Sequence, residues 1–195
     1  MTKTKDNGFE ITSLNPGWIK RRVPNSYADD GLRRIIMFYV INTPCSDLSS
    51  SSIPVNEYGW DKNVWRNHNL KNKLFAVASL ERNSSFGVAK NVSDMKSVCQ
   101  KIGMKKKFHD ERTKEKIVIY KPPRYNEFMA ILYHIRNALA HGRLAMYPIE
   151  DGKDIMFALE DGIKRNAEFQ VRSRMLLKKK TLLKWIDIIE KKEKT

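Results

Sequence analysis

The sequence predicts a mainly α protein of the α+β class: a helical bundle with a small antiparallel β-sheet inserted before the C-terminal helix. Three observations lead there. Apolar residues recur at helical spacing through Ser26–Ile41, Tyr58–Leu80, Ser93–Ile102, Tyr125–Arg143 and from Thr181 onward, which is the periodicity of amphipathic helices. After residue 143 the pattern changes to alternation punctuated by Asp151-Gly152 and Asp161-Gly162, and Asp-Gly between apolar runs is a strong hairpin signal. The chain has 195 residues, enough for one domain with a real core. We read 1–195 as one unit with an irregular N-terminal arm over about 1–25 and a Ser-rich loop over about 46–54.

The arm is polar and broken by Pro16 and Pro24, and Phe9, Ile11, Leu14, Trp18 and Ile19 are spaced to pin it onto the body. Lys20-Arg21-Arg22 forms an exposed basic turn within reach of phosphate. Ser26 is a good N-cap for the first helix, Asp29 and Asp30 favour its dipole from the first turn, and Pro44 closes it. Four consecutive serines, Ser49 to Ser52, make the following segment an exposed loop. In the second helix Trp60, Val64, Leu70, Leu74, Phe75, Val77 and Ala78 share a face, and His68 is read as a surface or interhelix residue. Asn83-Ser84-Ser85 with Gly87 marks a turn, and Gly103 ends the third helix. Lys105-Lys106-Lys107 with Phe108 and His109 reads as a solvated loop, although a basic run beside an aromatic also suits a nucleic-acid groove. Lys116–Tyr120 is β-branched and apolar, a short strand before Pro122 and Pro123.

Arg143–Ile149 and Asp154–Leu159 flank the turn at Glu150-Asp151-Gly152, and Asp161-Gly162 is expected to end the second of these strands. In Phe169–Leu177, Val171, Ser173, Met175 and Leu177 fall on one face, with Gln170, Arg172 and Arg174 on a basic outer face. Thr181 caps a last helix whose stripe is Leu182, Trp185, Ile186 and Ile189.

The formal net charge of +15 and pI near 9.8 favour a polyanionic partner, with nucleic acid ahead of a membrane surface. Cys45 and Cys99 stand alone, so neither a zinc knuckle nor a disulfide framework is indicated. There is no signal peptide and no apolar run of membrane-spanning length, which predicts a cytoplasmic protein without a membrane partner. No Gly-rich phosphate loop argues for a nucleotide regulator, no carboxylate cluster argues for a metal, and no cofactor is expected.

Tyr125–Arg143 carries the strongest pattern. Wound at about 100° per residue, Phe128, Ile131, Leu132, Ile135, Ala138 and Leu139 gather on an apolar stripe. Tyr133, Asn137 and Ala140 lie opposite, with Arg136 on one edge and His134 and His141 on the other. Gly142 suits the left-handed position that ends a helix. Arg136 and His141 diverge by about 140° on one ideal helix, whereas Asn137 and His141 are four apart and adjacent.

Arg136-Asn137-Ala138-Leu139-Ala140-His141 resembles the Arg-x4–6-His signature of the HEPN superfamily, helical proteins of which many are metal-independent ribonucleases. The helix–hairpin–strand–helix ending is also similar to a plasmid-borne HEPN subgroup. The resemblance implies a composite site in a homodimer, with Arg136, His141 and Asn137 catalytic. Tyr133, Arg143 and His134 would contact RNA. It implies attack of an RNA 2′-hydroxyl on the adjacent phosphorus, and a toxin or phage-defence effector with an antitoxin or defence-system partner. Bland roles stand beside these: Arg136 paired with Glu150 or Asp151, His141 capping its helix, Asn137 and Tyr133 in interhelix hydrogen bonds, and His134 as a structural residue, the reading preferred for it. The alternative is a non-catalytic nucleic-acid- or partner-binding protein on the same scaffold.

Overall fold

A computed structural model of the protein describes residues 25–46, 48–60, 69–104, 114–165 and 168–190. Residues 1–24 of the expected arm, His68 and the Lys105–His109 cluster lie outside the described residues. A 3-10 turn covers Asn25–Tyr27, and α1 (Asp30–Ile36) begins after it. The cap is Asp29 rather than Ser26; its carboxylate accepts from the Leu32 amide at 3.0 Å. A charged acceptor meets both the free amide and the positive end of the helix. The helix continues as a π-helical turn over Met37–Ile41.

The order then runs α2 (Asn69–Val77), β1 (Phe86–Ala89), α3 (Met95–Lys101), β2 (Lys116–Tyr120), α4 (Glu127–Ala140), β3 (Leu144–Ile149), β4 (Asp154–Arg165), β5 (Glu168–Lys178) and α5 (Lys179–Glu190). The strands form one five-stranded sheet in the order β1-β2-β5-β4-β3. β1 and β2 are parallel and the other neighbours antiparallel.

This corrects the expected fold class. The chain is an α/β protein built on a mixed sheet, not a helical bundle with a small insertion. Two features account for the difference. The expected turn is present at Asn83-Ser84-Ser85, but Gly87 lies in a strand that follows it: Phe86–Ala89 pairs with Ile117–Tyr120. And β4 does not stop at Asp161-Gly162 but runs through to Arg165. With β1 on one side and β5 on the other, β2 becomes interior. Its continuous apolar run Ile117-Val118-Ile119 is fully buried, as a strand covered on both faces requires.

The two faces of the sheet carry separate cores. On one, Ile117, Ile119, Phe157, Leu159, Met175 and Leu177 meet α1, α2, α4 and α5. On the other, Val118, Ala158 and Leu176 meet Met95, Cys99 and Ile102 of the α3 segment. Strand alternation thus delivers each strand to both layers. Trp185 of α5 is the largest fully buried side chain among the described residues, and its indole donates to the Leu74 carbonyl at 2.8 Å. Burying a large apolar side chain contributes about 1.5–3 kcal/mol, and the indole bond removes the cost of its polar atom.

Between β4 and β5 the register steps from Asp161↔Ser173 to Gly162↔Val171, leaving Arg172 unopposed. Such a bulge turns the following residues over. Val171 and Phe169 therefore sit in the α3-side core while Ser173 and Met175 face the other way, correcting the expected common face of Val171, Ser173, Met175 and Leu177. Nor is the opposite face an exposed basic one throughout: Arg174 is wholly buried. The expected Ser-rich loop is tied down, with the Ile53 amide donating to the Asn42 and Thr43 carbonyls at 3.3 and 3.2 Å.

Candidate functional site

Both ends of α4 are capped as its sequence requires. The Asn126 side chain accepts from the Met129 amide at 2.9 Å. At the other end the Gly142 amide donates to the Leu139 carbonyl and the Arg143 amide to the Ala138 carbonyl, at 3.1 and 2.8 Å. Gly142 stands at φ +62°. This is a Schellman ending, and it needs a residue that adopts the left-handed conformation without penalty. It leaves Ala140, His141 and Gly142 exposed at the helix tip. Among the described residues the His141 ring has no hydrogen-bond partner.

The rest of the motif is more deeply set than a one-sided helix would allow. His134 and Asn137 are buried, and Tyr133 and Arg136 half-buried. A continuous polar chain runs beneath the helix. His134 Nε2 lies 2.7 Å from the Tyr120 carbonyl and Nδ1 lies 2.6 Å from Asp161 Oδ2. Asn137 Nδ2 donates to the same Oδ2 at 3.3 Å. Arg136 Nη1 donates to Asn137 Oδ1 at 3.1 Å, and Nη2 donates to the Leu48 carbonyl at 2.6 Å. Buried polar atoms persist where each finds a partner, and the burial of Asn137 is explained in that way.

The structure thus joins Arg136, Asn137 and His134 through Asp161. It does not join His141 to them: the side chain of Asn137 is committed to Arg136 and Asp161. Arg136 meets neither Glu150 nor Asp151; Glu150 is held by Lys178 and Lys180. The Tyr133 ring lies tilted against that of Tyr125, with the ring centres 5.2 Å apart. The Arg124 guanidinium lies 4.6 Å from the Tyr125 ring and 5.8 Å from that of Tyr133. Cation and rings together form a basic, aromatic surface of the kind that takes bases and phosphates.

Arg143 belongs to the other side of the sheet. Its guanidinium sits 3.6 Å from the Phe169 ring centre and 3.6 Å from a Glu160 carboxylate oxygen. Glu160 is wholly buried, and Arg174 Nε donates to it at 2.9 Å while Arg174 Nη1 reaches the Met104 carbonyl at 3.3 Å. Burial holds the Glu160 carboxyl above the usual range despite both arginines.

Neighbouring residues of β4, Glu160 and Asp161, therefore anchor opposite faces, and sequence reading missed both. Reading Asp161-Gly162 as a turn hid them; the alternative signal was the alternation Phe157, Leu159, Asp161, which carries a carboxylate into the helix-covered face. Among the described residues no three His, Cys, Asp or Glu side chains gather in a way that could hold a metal ion, and no helix is long and apolar enough to cross a membrane. Compared with family models, curated proteins and solved structures, the chain matches none.

Proposed function

We propose that the chain is an endoribonuclease that cuts RNA by 2′-hydroxyl attack at a site shared by two protomers. The observation that carries this reading is the contrast between its two motif residues. Arg136 is held by Asn137 and the Leu48 carbonyl, while His141, just over one turn on, is exposed and unpartnered among the described residues. A fixed cation and an unengaged imidazole suit phosphate binding and proton transfer respectively. The net charge of +15 and the Arg124–Tyr125–Tyr133 surface give RNA a place to lie.

The reaction follows from these groups. An imidazole takes the proton of the 2′-hydroxyl, the 2′-oxygen bonds to phosphorus, and the P–O5′ bond breaks. An imidazolium returns a proton to the leaving 5′-oxygen. The products are a 2′,3′-cyclic phosphate and a 5′-hydroxyl. Proton transfer of this kind contributes roughly 10²–10⁴-fold, and Arg136 stabilises the extra negative charge of the pentacoordinate transition state. Because Arg136 and His141 diverge by about 140° on one helix, the site takes His141 from each of two protomers packed through the small Ala140 around a two-fold axis. The HEPN-like reading rests on α4 alone, since the mixed-sheet architecture departs from the bundle that the resemblance implies. A toxin or phage-defence role goes with it by analogy.

The test is incubation of the wild type and His141→Ala with tRNA and mRNA in EDTA, followed by end-group analysis. Cyclic phosphate ends from the wild type alone support the proposal; cleavage of an all-DNA oligonucleotide contradicts it. The commitment of Asn137 to Asp161 favours one second reading, a protein that binds RNA without cutting it. Its mark would be tight RNA binding with no fragments from the wild type.

A further inference from the structure

The orientation of one side-chain amide connects the buried chain under α4 to the exposed end of its motif. We infer that Asp161 is a positioning residue for Arg136, acting through Asn137. This rests on the RNA-cleaving reading and adds to that site a residue on a different element.

An asparagine amide has a donor end and an acceptor end, and hydrogen bonding decides which way it stands. Asp161 Oδ2 receives the Asn137 amine at 3.3 Å, which leaves Asn137 Oδ1 facing Arg136 Nη1 at 3.1 Å. Turned over, Asn137 would set its oxygen against the carboxylate and its amine against the guanidinium. Two hydrogen bonds would become two repulsive contacts, the one with Asp161 buried and little screened and the one with Arg136 partly buried.

Asp161 is itself fixed. His134 Nδ1 stands 2.6 Å from the same oxygen, and the Tyr120 carbonyl, which can only accept, requires a hydrogen on Nε2. The Asp161 amide donates to Ser173 Oγ at 3.3 Å, immediately before the β4–β5 bulge. The carboxylate is thus tied to β2 through His134, and the Asp161 backbone to β5 through Ser173. The second anchor of Arg136, the Leu48 carbonyl at 2.6 Å, uses one hydrogen of Nη2 as Asn137 uses one of Nη1. The other hydrogen of each nitrogen is left for a phosphate. Asp161 touches no substrate; it sets the amide that sets the guanidinium.

The experiment measures kcat and KM on one RNA oligonucleotide for the full chain and for Asp161→Asn, Asn137→Ala and their combination, with melting temperatures alongside. An asparagine at 161 can present its amine to Asn137 and so turn that amide over. We expect kcat to fall by about 10²-fold, the scale of a misplaced catalytic group, with KM little changed. Asn137→Ala should cost a similar factor. Because the link runs through one amide, the combination should fall no further than either single change. The exchanged pair Asn137→Asp with Asp161→Asn restores an acceptor for Arg136 and a donor between helix and strand, and should recover most of the loss.

Wild-type kcat in Asp161→Asn, beside an inactive His141→Ala, overturns the positioning role alone. So do losses that multiply in the combination, or an exchanged pair no better than its parts. If Asp161→Asn does not fold, Asn137→Ala and the exchanged pair still decide the question. A wild type that cleaves no RNA overturns the inference together with the reading it rests on.

Discussion

Replacing Arg174 with methionine isolates the energetics of the β4–β5 ion pair. Arg174 and Glu160 are both 0 % exposed and 2.9 Å apart, so the change keeps the volume but strands a carboxylate in the core. Removing one partner of a buried pair typically costs about 3–5 kcal/mol. Here the Arg143 guanidinium remains 3.6 Å away, which places the expected loss near the lower end, about 3 kcal/mol. That is a large part of the roughly 5–15 kcal/mol that holds an ordinary domain together. The pH dependence has a definite sign. Burial already keeps the Glu160 carboxyl above its ordinary value, so this group costs stability as pH rises past the unfolded value of about 4.3. Without Arg174 the folded carboxyl holds its proton more tightly, and the deficit relative to wild type should widen between pH 5 and pH 8. Urea unfolding at both pH values reads it. The double change Glu160→Leu with Arg174→Met should recover most of the loss, because no charge is left buried. A single-variant loss under about 1 kcal/mol at pH 8, or one equal at both pH values, would refute the reasoning.

Burial lifts the Glu115 carboxyl to about 7, against the bonds it accepts from the Lys178 amide and the Thr181 hydroxyl at 2.7 and 2.9 Å. Its folded value lies above its unfolded one, so stability should fall as pH rises from about 4.3 to 7 and level off above, by at most about 4 kcal/mol. Glu115→Gln should flatten that slope in a urea series, and an unchanged slope would place its source elsewhere. Gly162→Ala would set a methyl 2.4 Å from the Gln170 carbonyl and 2.5 Å from the Phe169 ring; a loss of about 1–3 kcal/mol is expected by thermal melting, and a neutral result would mean the bulge yields freely.

Local features were legible in the sequence and long-range ones were not. The span of α4, its Gly142 ending, the turn between β3 and β4 and the apolar stripe of α5 depend on residues a few positions apart, and their spacing reports them directly. The membership of Phe86–Ala89 in the sheet depends on pairing with residues about thirty positions away, which no local pattern records. The unopposed Arg172 breaks the alternation of β5 without any glycine or proline to mark it. For the same reason the spacing puts Asn137 on an open face: periodicity assumes a helix with one buried side, but α4 is embedded between the sheet and other helices. Its polar residues sink wherever a partner such as Asp161 meets them.

The most direct measurement takes one preparation of His141→Ala and determines both its RNA affinity and its single-turnover cleavage rate against wild type. The exposed ring should leave folding and affinity intact while the rate falls by about 10²-fold or more. A rate within about threefold of wild type, or a loss explained wholly by weaker binding, would contradict a proton-transfer role for His141.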